Sequence, residues 1–385
     1  MIKPRYSQFL TLLFVSIVWF LIGWLARDYL PGNQALTLTA EQQLMLRAEQ
    51  AITTLHYPTT EIPPLALAHA AIRGMLQVMH DPYSALFPPT VSGRFQADFT
   101  GETGVPGLWF DIVDGQLVIV KVPAGRPADL AGLQVGDIIK QVDDVVFDEN
   151  TSGDEASMLL RGPANTAAHV VVQRGETMIE AEVLREPWKI VSTQMMDNIG
   201  YLKLEAIPAN AAEKMQAGLE ELLQQNMQGL IWDLRNSGGG SMQATEEILS
   251  YFMANQVIYS AEFMDGTRQT FTTGKSPLLP DLPLVILIDE KTYSSSEMAA
   301  IAIEEHKRGL LLGTTTKGKG MIQDTIALDE QNLLRLSIAK WLSPSGEWIQ
   351  GKGVMPDVEL TDDPATSEDE LVTYAIDYLQ AQINQ

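Results

Sequence analysis

Apolar positions along this chain change their period three times, and each change marks a new kind of element. Thr39-Ala-Glu-Gln42 has the form of a capping box and opens a helical stretch running to about Leu55. A second helix is predicted from Leu65 to Met79, apolar at Leu67, Ala68, Ala71, Ile72, Met75 and Leu76, and Asp81-Pro82 stops it. Between Gly104 and about Glu186 the pattern becomes one of short β segments, such as Leu117-Val-Ile-Val-Lys-Val122 and His169-Val-Val-Val-Gln173. From Ile199 onward, strand-length apolar runs alternate with helical patterns. The runs are Ile199–Leu204, Gly229–Leu234, Pro283–Ile288, Leu310–Leu312 and Leu334–Leu342, which predicts α/β layering. Ser367-Glu-Asp-Glu370 then reads as the cap of a final amphipathic helix carrying Leu371, Tyr374, Ala375, Tyr378 and Leu379 on one face.

The N-terminus reads differently. It is apolar and uncharged from Phe9 to Ala26, about 18 residues, just enough to cross a bilayer. Lys3 and Arg5 precede the run, whereas Arg27 is followed at once by Asp28, so the positive-inside rule puts the N-terminus in the cytoplasm. No small-x-small cleavage site follows, which favours an uncleaved anchor with an extracytoplasmic body. The expected organisation is therefore a cytoplasmic tip and transmembrane anchor over 1–28 and a helical region over 29–100. A β domain over 101–187, an α/β domain over 188–361 and a C-terminal helix over 362–385 follow.

Candidate chemistry gathers in the α/β part. The apolar run Pro283–Ile288 is followed by Tyr293-Ser294-Ser295-Ser296-Glu297 at a strand-to-helix junction. There a serine hydroxyl points outward and helix N–H groups can receive an oxyanion. Serine needs a base, and none of the five histidines sits beside the serines. A lysine can serve if burial in an apolar pocket brings it from about 10.4 to near neutrality. Lys319, between Gly318 and Gly320 and close in sequence to Leu310–Leu312 and Met321-Ile322, is such a candidate. The same residues also read as a helix cap and a loop lysine. Arg235-Asn-Ser-Gly-Gly-Gly240 lacks the Gly-Lys-Ser/Thr of a phosphate-binding loop.

Composition narrows the class further. With 26 basic and 49 acidic residues among 385, the net charge of −23 argues against a nucleic-acid partner. Cysteine is absent, which removes disulfide and thiolate chemistry. The acidic stretch Asp148–Gly153 does not complete a calcium loop, because Leu159 stands where a bidentate glutamate is needed. No metal and no cofactor is expected.

Ser294-Ser-Ser296-Glu297 with Lys319-Gly320-x-x-Gln323 resembles the serine–lysine motif of the carboxyl-terminal processing peptidases, and similarity to that family extends from about Ala71 to Leu360. The resemblance implies Ser294 as nucleophile, Lys319 as general base and Gln323 as the polar group orienting the lysine. It implies an oxyanion hole made by the Ser295 N–H with Gly239 or Gly240. It also implies a crotonase-like β-α spiral for the α/β catalytic domain. Ser295 stands where the family usually has alanine, and Lys317 where it usually has an aromatic. Gly107-Leu108-Trp109-Phe110, followed by Ala131-Gly-Leu133 and Gly136-Asp-Ile-Ile139, resembles PDZ domains. Those residues would then receive a C-terminal carboxylate on backbone N–H groups, with the ligand adding as a strand.

These readings converge on a membrane-anchored, extracytoplasmic serine endopeptidase. It would act on protein or peptide substrates with free C-termini, and a homo-oligomer is possible. Two other classes share parts of the pattern: a catalytically inactive tail-binding scaffold, and an acyl-coenzyme A enzyme of crotonase type. The tail-binding module and the export signal speak against the latter.

Overall fold

Strands that are apolar at every position must be covered on both faces, and this requirement organises the C-terminal half of the molecule. In the computed structural model, which describes residues 38–57, 65–147, 151, 153–363, 366 and 368–384, the six strands of one sheet lie in the following order. They are Val191–Met196, Ile199–Leu204, Gly229–Asp233, Leu284–Ile288, Leu310–Gly313 and Val358–Glu359. The first pair is antiparallel and the other neighbours are parallel. Leu230, Trp232, Ile286, Ile288 and Leu311 face one core, shared with the helices Ala211–Gln224, Met242–Leu249 and Ser295–Glu305. Ile231, Val285, Leu287 and Leu312 face the other, closed by Leu371, Ala375 and Leu379 of the C-terminal helix Glu370–Ile383.

A second sheet runs in the order Ala85–Phe87, Leu333–Leu342, Val257–Phe263, Arg268–Thr272, and Met321–Ala327 also pairs with Leu333–Leu342. This sheet carries Gln323. By pairing Ala85–Phe87 with Leu333–Arg335 it also brings the segment around Tyr83 to the C-terminal half. Arg335 donates to the Tyr83 carbonyl, and the Ser337 amide donates to Ser84 Oγ.

The β domain is a six-stranded sheet with its own apolar core, which includes Phe87, Ile119, Leu133, Val142, Leu159, Val170 and Val183. Strand Trp109–Val113 is at its edge, paired on one side with Gln116–Lys121. The chain enters that edge through Gly107 at φ 73°, and a Cβ there would lie 2.8 Å from Arg126 Cβ, so the turn takes only glycine. Helix Gly153–Leu160 runs beside the edge strand, with Ile112 and Phe110 reaching the start of the helix at Gly153.

The chain divides into two compact units, Met1–Ala70 and Ala71–Gln385. Helix Ala40–Leu55 begins with the expected capping box at Thr39 and Gln42. Neither Ala40–Leu55 nor Ala66–Met79 has a buried residue. Arg73 of the second helix pairs with Glu155 of helix Gly153–Leu160 at 3.4 Å. The final helix is capped by Asp369, within the expected stretch Ser367–Glu370, and its side chain accepts from the Val372 amide; Ser367 itself lies outside the described residues. Asp369 also pairs with Arg235, a long-range partner that favours it as the cap. Among the described residues no helix is long and apolar enough to cross a membrane; the apolar run 9–26 lies outside them.

Candidate active site

In open parallel sheets the loops after the carboxyl ends of neighbouring strands converge on one crevice. Here three such loops are Arg235–Gly240 after Gly229–Asp233, Asp289–Ser294 after Leu284–Ile288, and Thr314–Lys319 after Leu310–Gly313. They are bonded to one another. Asp289 accepts from the Asn236 amide, the Tyr293 amide donates to the Ser237 carbonyl, and Thr292 Oγ1 donates to the Leu234 carbonyl. The Lys317 amide donates to the Thr292 carbonyl. Serine loop, glycine loop and lysine loop therefore form one hydrogen-bonded layer.

Ser294 sits at the turn into helix Ser295–Glu305 with φ 61° and ψ −130°. A non-glycine residue held there costs about 1–3 kcal/mol and persists only where the surroundings enforce it. The enforcing group is Glu297, which is fully buried. Its Oε2 accepts from the amides of Ser294 and Lys319, both at 2.8 Å, and its Oε1 accepts from the Gly318 amide at 2.6 Å and from Thr316 Oγ1. One carboxylate thus joins the Ser294 turn to the Lys319 loop.

Lys319 is half-buried, and its amine lies 5.0 Å from the centre of the Tyr83 ring and 5.8 Å from that of Tyr293. This differs from the pocket expected from neighbouring sequence, because Leu311 and Leu312 are buried inside the two cores of the sheet. The loop backbone is fixed by Trp341 Nε1 donating to the Lys319 carbonyl and Trp348 Nε1 donating to the Gly320 carbonyl, each at 2.9 Å. Gln323 lies on the adjoining strand Met321–Ala327, its amide nitrogen donating to the Met321 carbonyl and to Ser337 Oγ. Its carbonyl oxygen is then the end it can offer to an amine.

Sequence reasoning left Gly239 and Gly240 equivalent, and the structure separates them. The Gly240 amide donates to Ser295 Oγ at 2.7 Å. Gly239, at φ 71°, approaches so closely that an added Cβ would sit 2.7 Å from the Ser295 amide nitrogen. That amide belongs to the first residue of the helix, where N–H groups have no partner within the helix. Ser295 itself is buried, so the hydroxyl that replaces the family's alanine ties down the glycine loop.

Beneath this layer, Asp233 is fully buried and receives Tyr201 Oη, Lys203 Nζ and the guanidinium and amide of Arg235. Burial alone would push its carboxyl up, but the bonds from Arg235 and the positive charges of Lys203 and Arg235 outweigh that and hold it below the usual carboxylate range. Burial pushes the Tyr201 hydroxyl up, and the Asp233 charge adds to it. Among the described residues no cluster of histidine, aspartate and glutamate is arranged to hold a metal.

Of the sequence-predicted residues, Ser294, Ser295, Gly239 and Gly240 share one cluster, and Glu297 links it to the Lys319 loop. Gly107, Leu108, Trp109 and Phe110 belong to the β domain at its edge strand. Two residues had no site role assigned from sequence: Glu297, named there only as part of the serine motif although Ser-x-x-Glu has capping-box spacing, and Tyr83, which no local pattern places beside Lys319.

The family model for peptidase family S41 matches residues 198–360, and a PDZ domain model matches 118–174. A carboxyl-terminal-processing protease of Synechocystis sp. is 31% identical, covering 92% of this chain and 89% of that protein. The carboxy-terminal processing protease CtpA of Bacillus subtilis is 27% identical over 91% of this chain and 77% of its own. Among solved structures, a photosystem II D1 C-terminal processing protease superposes with a TM-score of 0.62 at 25% identity, covering 88% of this chain and 97% of that one. With that similarity across nearly its whole length, the chain belongs to the carboxyl-terminal processing proteases of peptidase family S41 and carries a PDZ domain.

Proposed function

We propose that this peptidase cleaves by a serine–lysine mechanism, with Ser294 as nucleophile and Lys319 as general base. The observation that carries the reading is the buried Glu297 carboxylate, which binds the Ser294 and Lys319 amides with one oxygen. Ser294 Oγ attacks a backbone carbonyl of the substrate while neutral Lys319 takes its proton. The oxyanion then rests on the amides of Ser295 and Gly239, because the Gly240 amide is already bonded to Ser295 Oγ. Collapse expels the amine, which receives the proton from Lys319, and the same lysine activates the water that hydrolyses the acyl-enzyme. Gln323 orients the lysine through its amide carbonyl.

The substrate is a protein held by its C-terminal tail. The edge strand Trp109–Val113 offers unpaired backbone to an added strand, and the Gly107 turn, with Leu108, Trp109 and Phe110, offers amides to the terminal carboxylate. The apolar run 9–26 anchors the chain in a membrane, and the charges around it put the catalytic body outside the cytoplasm.

Incubation of the purified protein with unfolded casein tests the mechanism by mass spectrometry of new termini. Ser294→Ala and Lys319→Ala should each remove cleavage while leaving the binding of a C-terminal peptide to the PDZ domain unchanged. Sustained turnover by Ser294→Ala would refute the assignment.

A further inference from the structure

Lys317 stands in the lysine loop but is not used by the mechanism above. Its neighbours Thr316 and Gly318 are buried and bonded to Glu297, whereas Lys317 itself is exposed. Its amide is pinned to the Thr292 carbonyl at 3.1 Å, and its amine lies 5.4 Å from the centre of the Tyr293 ring. Tyr293 immediately precedes Ser294, and the Lys319 amine approaches the same ring at 5.8 Å. The two amines and the nucleophile's turn therefore share one small neighbourhood.

Lys317 has no acidic partner among the described residues, as Lys189, Lys214, Lys275 and Lys291 also have none, but its amine lies over the ring of Tyr293, next to Ser294. Lys203 pairs with Asp233, Lys340 with Glu262 and Lys352 with Glu347. Among the described residues no carboxylate forms an ion pair with Lys317, in a chain whose net charge is −23. The loop holds a lysine without a direct ion pair against an aromatic face beside the candidate nucleophile. A substrate passing Ser294 in extended form advances about 3.3 Å per residue. Only side chains close to the attacked carbonyl come within reach of that amine.

We infer that Lys317 selects substrates with an acidic side chain within three residues of the scissile bond. The inference rests on Ser294 being the nucleophile. It concerns a contact made at the cut, separate from recognition of the tail by the PDZ domain. The contact strengthens binding without taking part in bond making, so its effect belongs in KM and not in kcat.

A mixture of unfolded proteins, digested by the full-length protein and mapped by mass spectrometry, gives the residues flanking each cut. Quenched fluorescent peptides with a common C-terminal tail then compare glutamate with glutamine at the enriched position. Wild type should favour the glutamate peptide by about fivefold in kcat/KM at low ionic strength, through KM, and the ratio should shrink in about 0.5 M salt. Lys317→Phe should bring the ratio to about one and Lys317→Glu should invert it, with peptide binding by the PDZ domain and the melting temperature reporting intact folding. An unchanged ratio in Lys317→Phe overturns the inference. So does a displaced pH–rate profile with an unchanged ratio, which would make Lys317 a modulator of Lys319. Ser294-dependent cleavage without acidic enrichment overturns this inference alone, whereas cleavage that survives Ser294→Ala, or none at all, overturns the mechanism beneath it.

Discussion

Glu297 has room for four hydrogen bonds on its two oxygens, and the structure fills all four, two on each. Glutamine cannot replace it quietly, because either orientation of an amide turns an NH2 group toward two donors. Glu297→Gln should therefore lower stability by about 3 kcal/mol and cut peptidase activity at least about tenfold. Differential scanning calorimetry and a cleavage assay on the same preparation check both, and tail-peptide binding should stay unchanged. At this scale the sequence was legible where chemistry is local. Ser294, Lys319 and Gln323 stood out by motif, and Glu297 had the spacing of a cap. Tyr83 did not stand out, because its place beside Lys319 depends on strand Ala85–Phe87 pairing with residues far along the chain.

Among the elements, strand Gly229–Asp233 ends in a charged network that reaches the C-terminal helix through Arg235 and Asp369. Because the folded state holds the Asp233 carboxyl below the range of an unfolded aspartate, the ionised group favours folding above about pH 3.9. That contribution is lost as pH falls through the lower folded value. Asp233→Asn should flatten the acid side of the stability profile, and at pH 7 it should cost about 3–5 kcal/mol by leaving Arg235 and Lys203 beside a neutral partner. Urea midpoints measured between about pH 3 and 7 give both quantities. Strands such as Leu284–Ile288 were legible because a continuous apolar run has few alternatives. Helix Pro89–Thr100 was not, since Thr-Val-Ser-Gly-Arg has no helical period and its C-terminus is set by Gly101 in a left-handed turn. Strand Arg268–Thr272 escaped for a similar reason: it is mostly exposed, so burial left no pattern to read.

For the molecule as a whole, the absence of cysteine makes the proposed topology directly measurable. A single Ser276→Cys, at an exposed position, should react in intact cells with a maleimide that cannot cross the cytoplasmic membrane. Removal of residues 1–28 should release the protein from membranes washed with alkaline carbonate. Labelling only after the cells are opened would place the body on the other side.

The β domain and the parallel sheet have separate apolar interiors. Serine, lysine and glycine loops are all rooted in the second of these, so warming cannot displace one without loosening the sheet that carries the others. Cutting of a short peptide that needs no docking should therefore fade at the temperature where the sheet itself melts. Capture of C-termini is free to fail at a different point on the scale. Paired thermal curves for the two activities, recorded on one sample, would show whether the protein loses its grip before it loses its bite.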